Sequence, residues 1–429
     1  MPNNPNTLSG WLSLLETRHA KEIDMGLERV AAVKDRLGIH YACPVIVVGG
    51  TNGKGSTCAM LESILLQAGY RVGLYSKPHF LDFNERARIN GESVKDQVFI
   101  DSFAEVEAAR AAISLTYFEF TTLAICKLLA DAKLDVVILE VGLGGRLDAV
   151  NVIDADVAIV TSVDIDHVDY LGDTREKIGF EKAGIFRAGK AAICADPIPP
   201  QSLIDHAQSI GADLRLFGRD FNYNGDKQQW NFAGREQRRN SLGYPSLRGA
   251  NQLLNASAAL AALEVLKLRL PVGAQEVRSG LVMVDLPGRF QVMPGRPTVV
   301  LDVAHNPHAA ATLAQNFDNM GFHAFTYAVF GSMLDKDIAG VIEQMKGKID
   351  HWCVTDLPLP RAASAAQIHD QLIAAGVLQD PEHSIQDFTS PEAAYAYALS
   401  KAGENDRIAV FGSFLTVAGV MRARKSQYH

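Results

Sequence analysis

The chain has 429 residues, and this length predicts two domains because one ordinary hydrophobic core does not extend that far. It is 48% hydrophobic and 21% charged, a composition typical of a soluble globular protein. The formal net charge of −8 argues against a nucleic-acid surface, and five dispersed cysteines without a C-x-x-C pattern argue against a disulfide or zinc framework.

The sequence shows neither a signal peptide nor a membrane span. The first residues, MPNNPNTLSGWLSLLE, lack a basic segment followed by an apolar run. No stretch approaches the ~18 to 20 continuous apolar residues that a membrane span needs. We therefore expect a cytoplasmic protein without a membrane partner.

Short apolar runs alternate with segments of helical period, which predicts a mostly parallel sheet covered by helices. Residues 44–50 are predicted as a buried strand, and residues 56–68 as the helix that follows it. The other elements predicted in the first half are strands at 71–75, 135–141, 157–161 and 191–194, helices near 98–112 and 119–131, a hairpin at 87–93 with an Asn-Gly turn, and irregular or antiparallel structure at 218–243.

A Pro- and Gly-rich segment, LPGRFQVMPGRP, marks the clearest boundary in the sequence. It predicts a first domain over 1–286, a linker over 287–297 and a smaller Rossmann-like α/β domain over 298–429. The elements predicted in the second domain are strands at 298–303, 326–331, 351–355 and 407–413, with helices near 308–320, 338–346, 365–375 and 391–402.

The segment VIVVGGTNGKGST (45–57) has the parts of a phosphate-binding loop. Lys54 supplies a positive charge, a helix is predicted to begin near Ser56, and glycines let backbone N–H groups turn toward an anion. The segment departs from G-x-x-x-x-G-K-[ST], because Val48 replaces the first glycine and the hydroxyl comes one residue late. The glycines that allow this turn are Gly49, Gly50, Gly53 and Gly55. A glycine turn without a ligand is the alternative, and the agreement of strand, loop, lysine and helix argues against it.

Polar side chains follow two later strands of the same domain. Glu140 ends an apolar strand, as an acidic group beside the metal of a nucleotide site would, and a solvent-facing glutamate is an equal alternative. Asp164, Asp166, His167 and Asp169 follow the strand VAIVT, at the edge where open α/β sheets bind ligands. A histidine among carboxylates at that edge favours a metal or catalytic role over a structural one. The glycine run after Glu140 implies close backbone approach to a ligand or to another loop.

The second domain repeats the pattern, since Asp302, His305 and Asn306 follow the apolar run TVVL. By the same argument, we expect polar groups of both domains to meet at one cleft. Capping of the next helix by Asn306 is the plainer alternative.

Six motifs in order resemble one known family. They are GTNGKGS (50–56), LEVGLGGRLDA (139–149), DHVDYLG (166–172), EKAGIF (181–186), LPGRF (286–290) and DVAHNPHAA (302–310). Together they resemble the dihydrofolate synthase/folylpolyglutamate synthase family of Mur-ligase-like ATP-dependent enzymes, from about Trp11 to residues 412–419. The resemblance implies an α/β fold with a P-loop-containing, mostly parallel sheet domain that binds ATP and folate, followed by a smaller Rossmann-like glutamate-ligase domain.

The resemblance implies an amide ligase that works through an acyl phosphate. ATP phosphorylates the carboxylate of 7,8-dihydropteroate or of a reduced folate, and the amine of L-glutamate then displaces phosphate. The implied cofactors are ATP, two Mg²⁺ ions, a monovalent cation such as K⁺ and a carbamate formed from CO₂ on Lys182. The implied partners are these small molecules alone, with a monomeric protein.

The resemblance also assigns roles to residues. The implied catalytic residues are Lys54, His167, Lys182 and His305. The implied metal ligands are Glu140, His167 and Ser76. The implied ATP-binding residues are Thr51, Asn52, Gly53, Lys54, Gly55, Ser56, Asn251, Arg289 and Asp302. The implied pterin or folate contacts are Glu22, Ile23, Asp24, Met25, Thr116, Tyr117, Phe118, Glu119, Leu147, Asp148 and Ala149.

One position departs from the family pattern. The family usually has [ST]-S-P-H-L after the second strand, with its second hydroxyl as a magnesium ligand, whereas this chain has Lys77 in that place. Three explanations stay open: Ser76 replaces the missing ligand, water fills the position, or the lysine charge replaces part of the metal charge.

Two other functions also stay open at this point. One is a folylpolyglutamate synthase without dihydrofolate synthase activity, or a ligase for another acceptor. The other is a nucleotide-dependent switch or a folate-binding protein without catalysis. The clustered acidic, histidine and lysine residues argue against the second.

Overall fold

The structure is a computed structural model that describes residues 5–19, 21, 24–226, 228–249, 251–377 and 379–427. It divides into two compact units. The first comprises Met1–Ser246 and Leu253–Val284, and the second comprises Leu247–Gln252 and Asp285–His429. No helix among the described residues is both long enough and apolar enough to cross a membrane.

The first unit is built on a mixed, mostly parallel sheet. Its strand order is β4-β3-β2-β5-β1-β6-β7-β8, and every pair from β2 to β8 is parallel, whereas β3 and β4 pair antiparallel. The strands are β1 (Val45–Gly49), β2 (Val72–Tyr75), β3 (Ala87–Ile89), β4 (Glu92–Ser93), β5 (Val136–Glu140), β6 (Val157–Val160), β7 (Ala191–Cys194) and β8 (Asp213–Leu216). Because β1 and β5 are buried along their whole length, the sheet is covered on both faces.

Helices cover this sheet, and a small antiparallel sheet joins it. The helices are α1 (Leu8–Arg18), α2 (Glu28–Leu37), α3 (Lys54–Gln67), α4 (Asp96–Arg110), α5 (Tyr117–Asp131), α6 (Val168–Leu171), α7 (Arg175–Ala183), α8 (Gln201–Ser209), α9 (Gln252–Val265) and α10 (Ala274–Met283). The small sheet contains β9 (Asn222–Gly225), β10 (Trp230–Ala233) and β11 (Arg238–Leu242). Residues 218–243 therefore form antiparallel strands, one of the two structures predicted for them.

Aromatic side chains fill the core between α1, α4 and α5. The Trp11 ring lies 5.8 Å from Phe103 and 6.1 Å from Phe120, centroid to centroid. All three side chains are at most 1% exposed. This packing anchors the first turns of α5, where residues predicted to bind substrate lie.

The second unit is a smaller α/β sheet of order β12-β13-β17-β14-β15-β16, in which β12 alone is antiparallel to its neighbour. Its strands are β12 (Gln291–Met293), β13 (Thr298–Leu301), β14 (Thr326–Phe330), β15 (His351–Thr355), β16 (Ser384–Phe388) and β17 (Arg407–Phe411). Its helices are α11 (Pro307–Asp318), α12 (Ile338–Met345), α13 (Ala365–Ala374), α14 (Pro391–Lys401) and α15 (Phe414–Gln427).

The segment 287–297 is not a free linker, which corrects the prediction. Its residues Gln291–Met293 form β12 and pair with β13, so they are part of the second sheet. The Pro and Gly residues on either side of this short strand hid it, because only three of its residues pair.

Candidate active site

The phosphate loop, residues 49–56, leaves β1 at the centre of the first sheet and enters α3. Gly50 and Gly53 have φ angles of 141° and 88°, which side chains rarely adopt. A Cβ atom at Gly50 would lie 2.0 Å from Thr161 Oγ1, and one at Gly53 would lie 2.4 Å from Asn255 Oδ1. Glycine is therefore required at both positions for the loop to approach β6 and α9.

The segment after β6 fixes the shape of the loop. Thr51 N donates to Ser162 O at 2.8 Å, Asn52 N donates to Ser162 Oγ at 3.0 Å, and Thr161 Oγ1 donates to Asn52 O at 2.6 Å. Thr51 and Asn52, predicted to bind ATP, thus use their backbone N–H groups to position the loop.

The helix end beyond the loop is suited to bind an anion. The first hydrogen bond of α3 runs from Thr57 N to Gly53 O at 2.9 Å, so the N–H groups before Thr57 point out of the helix. Lys54 Nζ donates to Gly50 O at 2.8 Å and to Thr51 O at 3.0 Å, which places the ammonium across the loop. These groups provide the positive potential that the sequence predicted, and α3 begins two residues before the predicted Ser56.

Glu140 lies beside this loop and inside the protein. Its register partner in the parallel β1–β5 pair is Val48, directly before the loop. The side chain is 2% exposed, and its Oε2 accepts a hydrogen bond from Lys77 N at 3.0 Å. The solvent-facing alternative for this glutamate is therefore wrong.

On the other side of β1, the segment with His167 is tied to the loop. Asp164 N donates to Thr51 Oγ1 at 3.0 Å, and Thr51 Oγ1 donates to Asp164 O at 3.2 Å. His167 has a left-handed φ of 52°, and its Nε2 lies 3.9 Å from Asp166 Oδ2. The imidazole is 37% exposed, so it remains accessible to a ligand.

No group of three or more His, Cys, Asp or Glu side chains suited to a metal occurs in the described parts of the chain. Sparse protein ligation fits Mg²⁺, which is usually held by one or two carboxylates together with nucleotide phosphates and waters. Glu140, the last residue of β5, could supply such a carboxylate, and His167, at the start of α6 beyond β6, could supply a ring nitrogen. Ser76 is a weaker candidate for a metal ligand, because its Oγ makes a long 3.5 Å hydrogen bond to Glu85 O.

Lys182 lies on α7 and is 4% exposed. Burial and the charge of Lys54 lower the pKa of Lys182 to about 7, and Asp166 and Asp148 oppose this shift. Its amine is therefore partly neutral near pH 7. The charges that act on this amine therefore belong to the phosphate loop, the His167 segment and the Asp148 loop.

The glycine run after β5 packs against the end of α7, so its close approach is to another segment of the chain. A Cβ atom at Gly145 would lie 2.9 Å from Glu181 O and 3.0 Å from Lys182 O. Arg146 N donates to Glu181 O at 2.7 Å. The glycines thereby allow the Asp148 loop to position Lys182.

Four side chains form a compact group that we call the acceptor cluster: Tyr75, Lys77, Phe118 and Asp148. Lys77 Nζ lies 4.2 Å from the Tyr75 ring centroid, 4.4 Å from the Phe118 ring centroid and 4.0 Å from Asp148 Oδ1. Burial lowers the pKa of Lys77, opposed by the charges of Asp148 and Glu140. The cluster contains Phe118 and Asp148, both predicted to contact the pterin.

Backbone donors hold Asp148 in place. Its Oδ2 accepts hydrogen bonds from Gly142 N at 3.0 Å and Leu143 N at 2.9 Å, and its Oδ1 accepts one from Val150 N at 3.0 Å. The neighbouring Leu147 is half-buried, and Ala149 is 3% exposed in a short 3₁₀ turn.

The other predicted substrate residues have structural partners. Thr116 and Glu119 form a capping box at the start of α5, with Thr116 N donating to Glu119 Oε2 at 2.7 Å. Arg29 links Glu119 to Asp24, at 2.9 Å from a carboxylate oxygen of each. This network brings the two predicted substrate segments together. Half-buried Met25 and Tyr117 flank it, and Glu22 and Ile23 lie outside the described residues.

The second unit has a polar cluster of its own at the end of β13. Asp302 accepts hydrogen bonds from Phe290 N and Ala304 N, both at 2.8 Å, and burial raises the pKa of its carboxyl against the opposing Arg289 charge. The Arg289 guanidinium lies 5.1 Å from the Phe414 ring centroid. His305 Nδ1 donates to Val303 O at 2.8 Å.

Two residues near this cluster have structural roles. Asn306 caps α11 by accepting a hydrogen bond from Ala309 N at 2.9 Å, as the plainer alternative held. Asn251 Nδ2 donates to Thr312 Oγ1 at 3.4 Å, so Asn251 is fixed to α11.

Sequence reasoning missed Asn255, Ser162 and Arg29. Asn255 lies on α9, a helix whose residues 255–264 are all buried, so no polar face marked it as part of a site. Ser162 stands beside the Asp-His motif, and its position directly after β6 was the available signal. Arg29 gave no signal, because its carboxylate partner Glu119 is 90 residues away in sequence.

Two family models match the chain. The Mur ligase middle domain matches residues 48–263, and the Mur ligase glutamate ligase domain matches residues 288–414. The dihydrofolate synthase/folylpolyglutamate synthase of Escherichia coli K12 is 45% identical over 429 residues, covering 99% of this chain and 98% of the relative. The chain belongs to the dihydrofolate synthase/folylpolyglutamate synthase family.

Solved structures of this family are similar over the whole chain. The E. coli FolC structure in complex with DHPP and ADP has a TM-score of 0.94 at 44% identity and covers 100% of both chains. A bifunctional folylpolyglutamate synthase/dihydrofolate synthase with Mn, AMPPNP and L-glutamate bound has a TM-score of 0.90 at 43% identity and covers 99% of both chains. The resemblance and the predicted fold class are confirmed, and the protein is an ATP-dependent ligase of the Mur type.

Proposed function

We propose that this family member joins L-glutamate to 7,8-dihydropteroate in an ATP-dependent reaction that forms dihydrofolate, and then adds glutamates to reduced folates. One observation carries the proposal. The phosphate loop leaves β1 between Glu140, at the end of β5, and the segment 164–167 after β6, to which Thr51 is hydrogen-bonded, and the hydrogen bond from Lys77 N to Glu140 joins the acceptor cluster to the same edge of the sheet. A nucleotide phosphate and a carboxylic acid bound at these groups are brought toward one another.

The chemistry of amide formation explains why these residue types are needed. A substrate carboxylate oxygen attacks the γ-phosphorus of ATP, the bond to ADP breaks, and an acyl phosphate forms. The neutral amine of L-glutamate then attacks the acyl carbon, phosphate leaves with the C–O electrons, and the nitrogen loses a proton. Two anions must approach each other in the first step, so Lys54 and the outward N–H groups of α3 lower the repulsion between them.

Glu140 and His167, with Ser76 as a further candidate, would hold Mg²⁺ at this site. The ion neutralises phosphate charge when bound. One similar structure has Mn and AMPPNP bound, and another has ADP bound. These support the use of a divalent metal and an adenine nucleotide by this chain.

Lys182 is proposed to carry a carbamate. Its nitrogen attacks the carbon of CO₂ and loses a proton, which converts a cation into an anion. A pKa of about 7 supports this step, because a lysine reacts with CO₂ only as the neutral amine. The modification also replaces the repulsion from Lys54 by attraction.

In the second unit, we assign nucleotide contacts to Asn251, Arg289 and Asp302, and a contact near the phosphates or L-glutamate to His305. The two backbone hydrogen bonds to Asp302 hold the turn that carries Arg289, which supports a positioning role for this carboxylate. The K⁺ requirement, the monomeric state and the cytoplasmic location remain predictions from the resemblance and the sequence.

The release of ADP with different substrates tests the function. Purified protein with ATP and Mg²⁺ is expected to release ADP only when both 7,8-dihydropteroate and L-glutamate are present, and mass spectrometry should find dihydrofolate. Activity with reduced folates alone would indicate a folylpolyglutamate synthase without the first step. ATP hydrolysis independent of L-glutamate would instead favour a nucleotide-dependent switch.

A further inference from the structure

The side chain of Lys77 is sealed inside the acceptor cluster. It is 8% exposed, and its Nζ has no hydrogen-bond partner among the described residues. Its contacts are the rings of Tyr75 and Phe118 and the carboxylate of Asp148. An ammonium group has three donors, so a buried one without an acceptor is held by electrostatic attraction alone.

Asp148 does not supply the missing acceptor. Three backbone N–H groups already donate to its two oxygens, and Nζ lies 4.0 Å away, beyond hydrogen-bond distance. The aromatic rings therefore take a large share in compensating this cation, since a cation over a ring face is attracted by the ring quadrupole.

The side chain of Lys77 contacts aromatic rings, whereas only its backbone contacts the candidate metal ligand Glu140. The contact of this residue with Glu140 is made by its backbone N–H at 3.0 Å, while its Nζ lies over the two rings. The three explanations for the departure from the family pattern concern the metal site and stay open beside this arrangement. The lysine belongs to the acceptor cluster.

We propose that Lys77 is a positioning residue for the acid substrate: its sealed ammonium holds one face of Phe118 and leaves the other face to stack on a flat heterocycle. Phe118 is half-buried, so the core does not enclose this residue completely. A cation on one face also withdraws electron density from the ring. This lowers the repulsion between the negative faces of two stacked aromatic systems. The inference rests on the proposed function, in which the acid is 7,8-dihydropteroate.

The test is a double-mutant cycle between Lys77 and Phe118, with steady-state kinetics and with calorimetric binding of 7,8-dihydropteroate in the presence of ADP. Lys77→Met keeps the length of the side chain and removes its charge. We expect it to raise the KM and the Kd for 7,8-dihydropteroate about five- to tenfold, the effect of one desolvated cation–π contact. The KM for ATP and the Mg²⁺ concentration for half-activity should stay unchanged, and kcat should change less than about twofold.

The cycle separates this role from general damage to the fold. In a Phe118→Leu background, Lys77→Met should have little further effect, because the ring through which Lys77 acts is gone. Lys95→Met, at an exposed lysine, is the matched control and should equal the wild type. Lys77→Gln is the second variant if Lys77→Met does not fold, as judged by thermal unfolding.

Two outcomes would overturn the inference. One is an unchanged KM for 7,8-dihydropteroate in both Lys77 variants, and the other is a shifted Mg²⁺ requirement without a change in acceptor binding. The wild type is assayed first. If the wild type does not ligate 7,8-dihydropteroate, the proposed function is wrong. If it does, but the KM for 7,8-dihydropteroate is the same in the Lys77 variants, only this inference is wrong.

Discussion

At the scale of single residues, the site depends on two loop glycines that leave no room for a Cβ atom and on the buried amine of Lys182. The two loop glycines approach oxygen atoms of Thr161 and Asn255 more closely than any Cβ atom tolerates. Burial and the charge of Lys54 lower the pKa of Lys182 to about 7. Both features give predictions.

Gly53→Ala is expected to weaken nucleotide binding. The new Cβ atom would lie 2.4 Å from Asn255 Oδ1 at a φ of 88°, so the loop must move and its backbone is strained by about 1–3 kcal/mol. We expect the Kd for ADP, measured by calorimetry, to rise at least tenfold.

Two controls separate the contact from the strain. Asn255→Ala in the same chain should recover only part of the affinity, because it removes the contact but not the unfavourable φ. Gly347→Ala, where a Cβ atom meets nothing within 4 Å, should leave binding unchanged. Wild-type affinity in Gly53→Ala would show that the loop does not need this conformation.

Lys182→Ala is expected to lose most activity at ambient CO₂. With ¹³CO₂, the wild type should show a carbamate carbon signal in NMR that the variant lacks. The signal should grow as the pH rises through about 7, because burial lowers the pKa of this amine and only the neutral form reacts. Lys177→Ala, at a lysine on the same helix whose side chain is 63% exposed, is the matched control. Near wild-type turnover in Lys182→Ala would contradict the role.

At the scale of secondary-structure elements, strand ends place the chemistry. β1, β5 and β6 are neighbours in the sheet, so the phosphate loop, Glu140 and the His167 segment reach the same edge. In the second unit, Asp302 directly follows β13 and organises the turn before β12. Removing that carboxylate tests this second arrangement.

Asp302→Asn is expected to destabilise the second unit and to raise the KM for ATP. The amide has one acceptor oxygen instead of two, so either Phe290 N or Ala304 N loses its partner, at a cost of about 1–3 kcal/mol. Urea unfolding and steady-state kinetics measure the two effects. Asp318→Asn, at a half-exposed surface carboxylate, should change neither. Unaltered stability in Asp302→Asn would mean that the turn does not depend on this residue.

The sequence predicted the elements with clear periodicity and the polar residues that follow them. β1, α3, β5 and β6 were predicted because buried parallel strands are short apolar runs, and Glu140 and His167 came with them. Other elements lacked such a signal. β16 has a single buried residue, Ile385, and β12 pairs over three residues between prolines. α1 carries Leu8, Trp11 and Leu15 at helical spacing, a signal that its sequence does contain.

Contacts between distant segments were beyond sequence reasoning. The pairing of Lys77 with Phe118 and Asp148 depends on a side-chain direction that no periodicity gives. The same holds for the bridge from Arg29 to Asp24 and Glu119. The Lys77 substitution was visible from the family pattern, but its surroundings were visible only in the structure.

At the scale of the whole molecule, the candidate functional residues are distributed over two α/β units. The first contains the phosphate loop, the candidate metal ligands, Lys182 and the acceptor cluster. The second contains the cluster around Asp302 and matches the glutamate ligase domain of Mur ligases. The central claim is that ATP activates the carboxylate of 7,8-dihydropteroate as an acyl phosphate before L-glutamate attacks.

Oxygen transfer tests that claim most directly. 7,8-Dihydropteroate labelled with ¹⁸O in its carboxylate is incubated with ATP, Mg²⁺, L-glutamate and the protein, and the released phosphate is analysed by mass spectrometry. The proposed mechanism predicts one ¹⁸O atom in phosphate for each amide formed, because the acyl C–O bond breaks with its oxygen on phosphorus. Amide formation with unlabelled phosphate would contradict it.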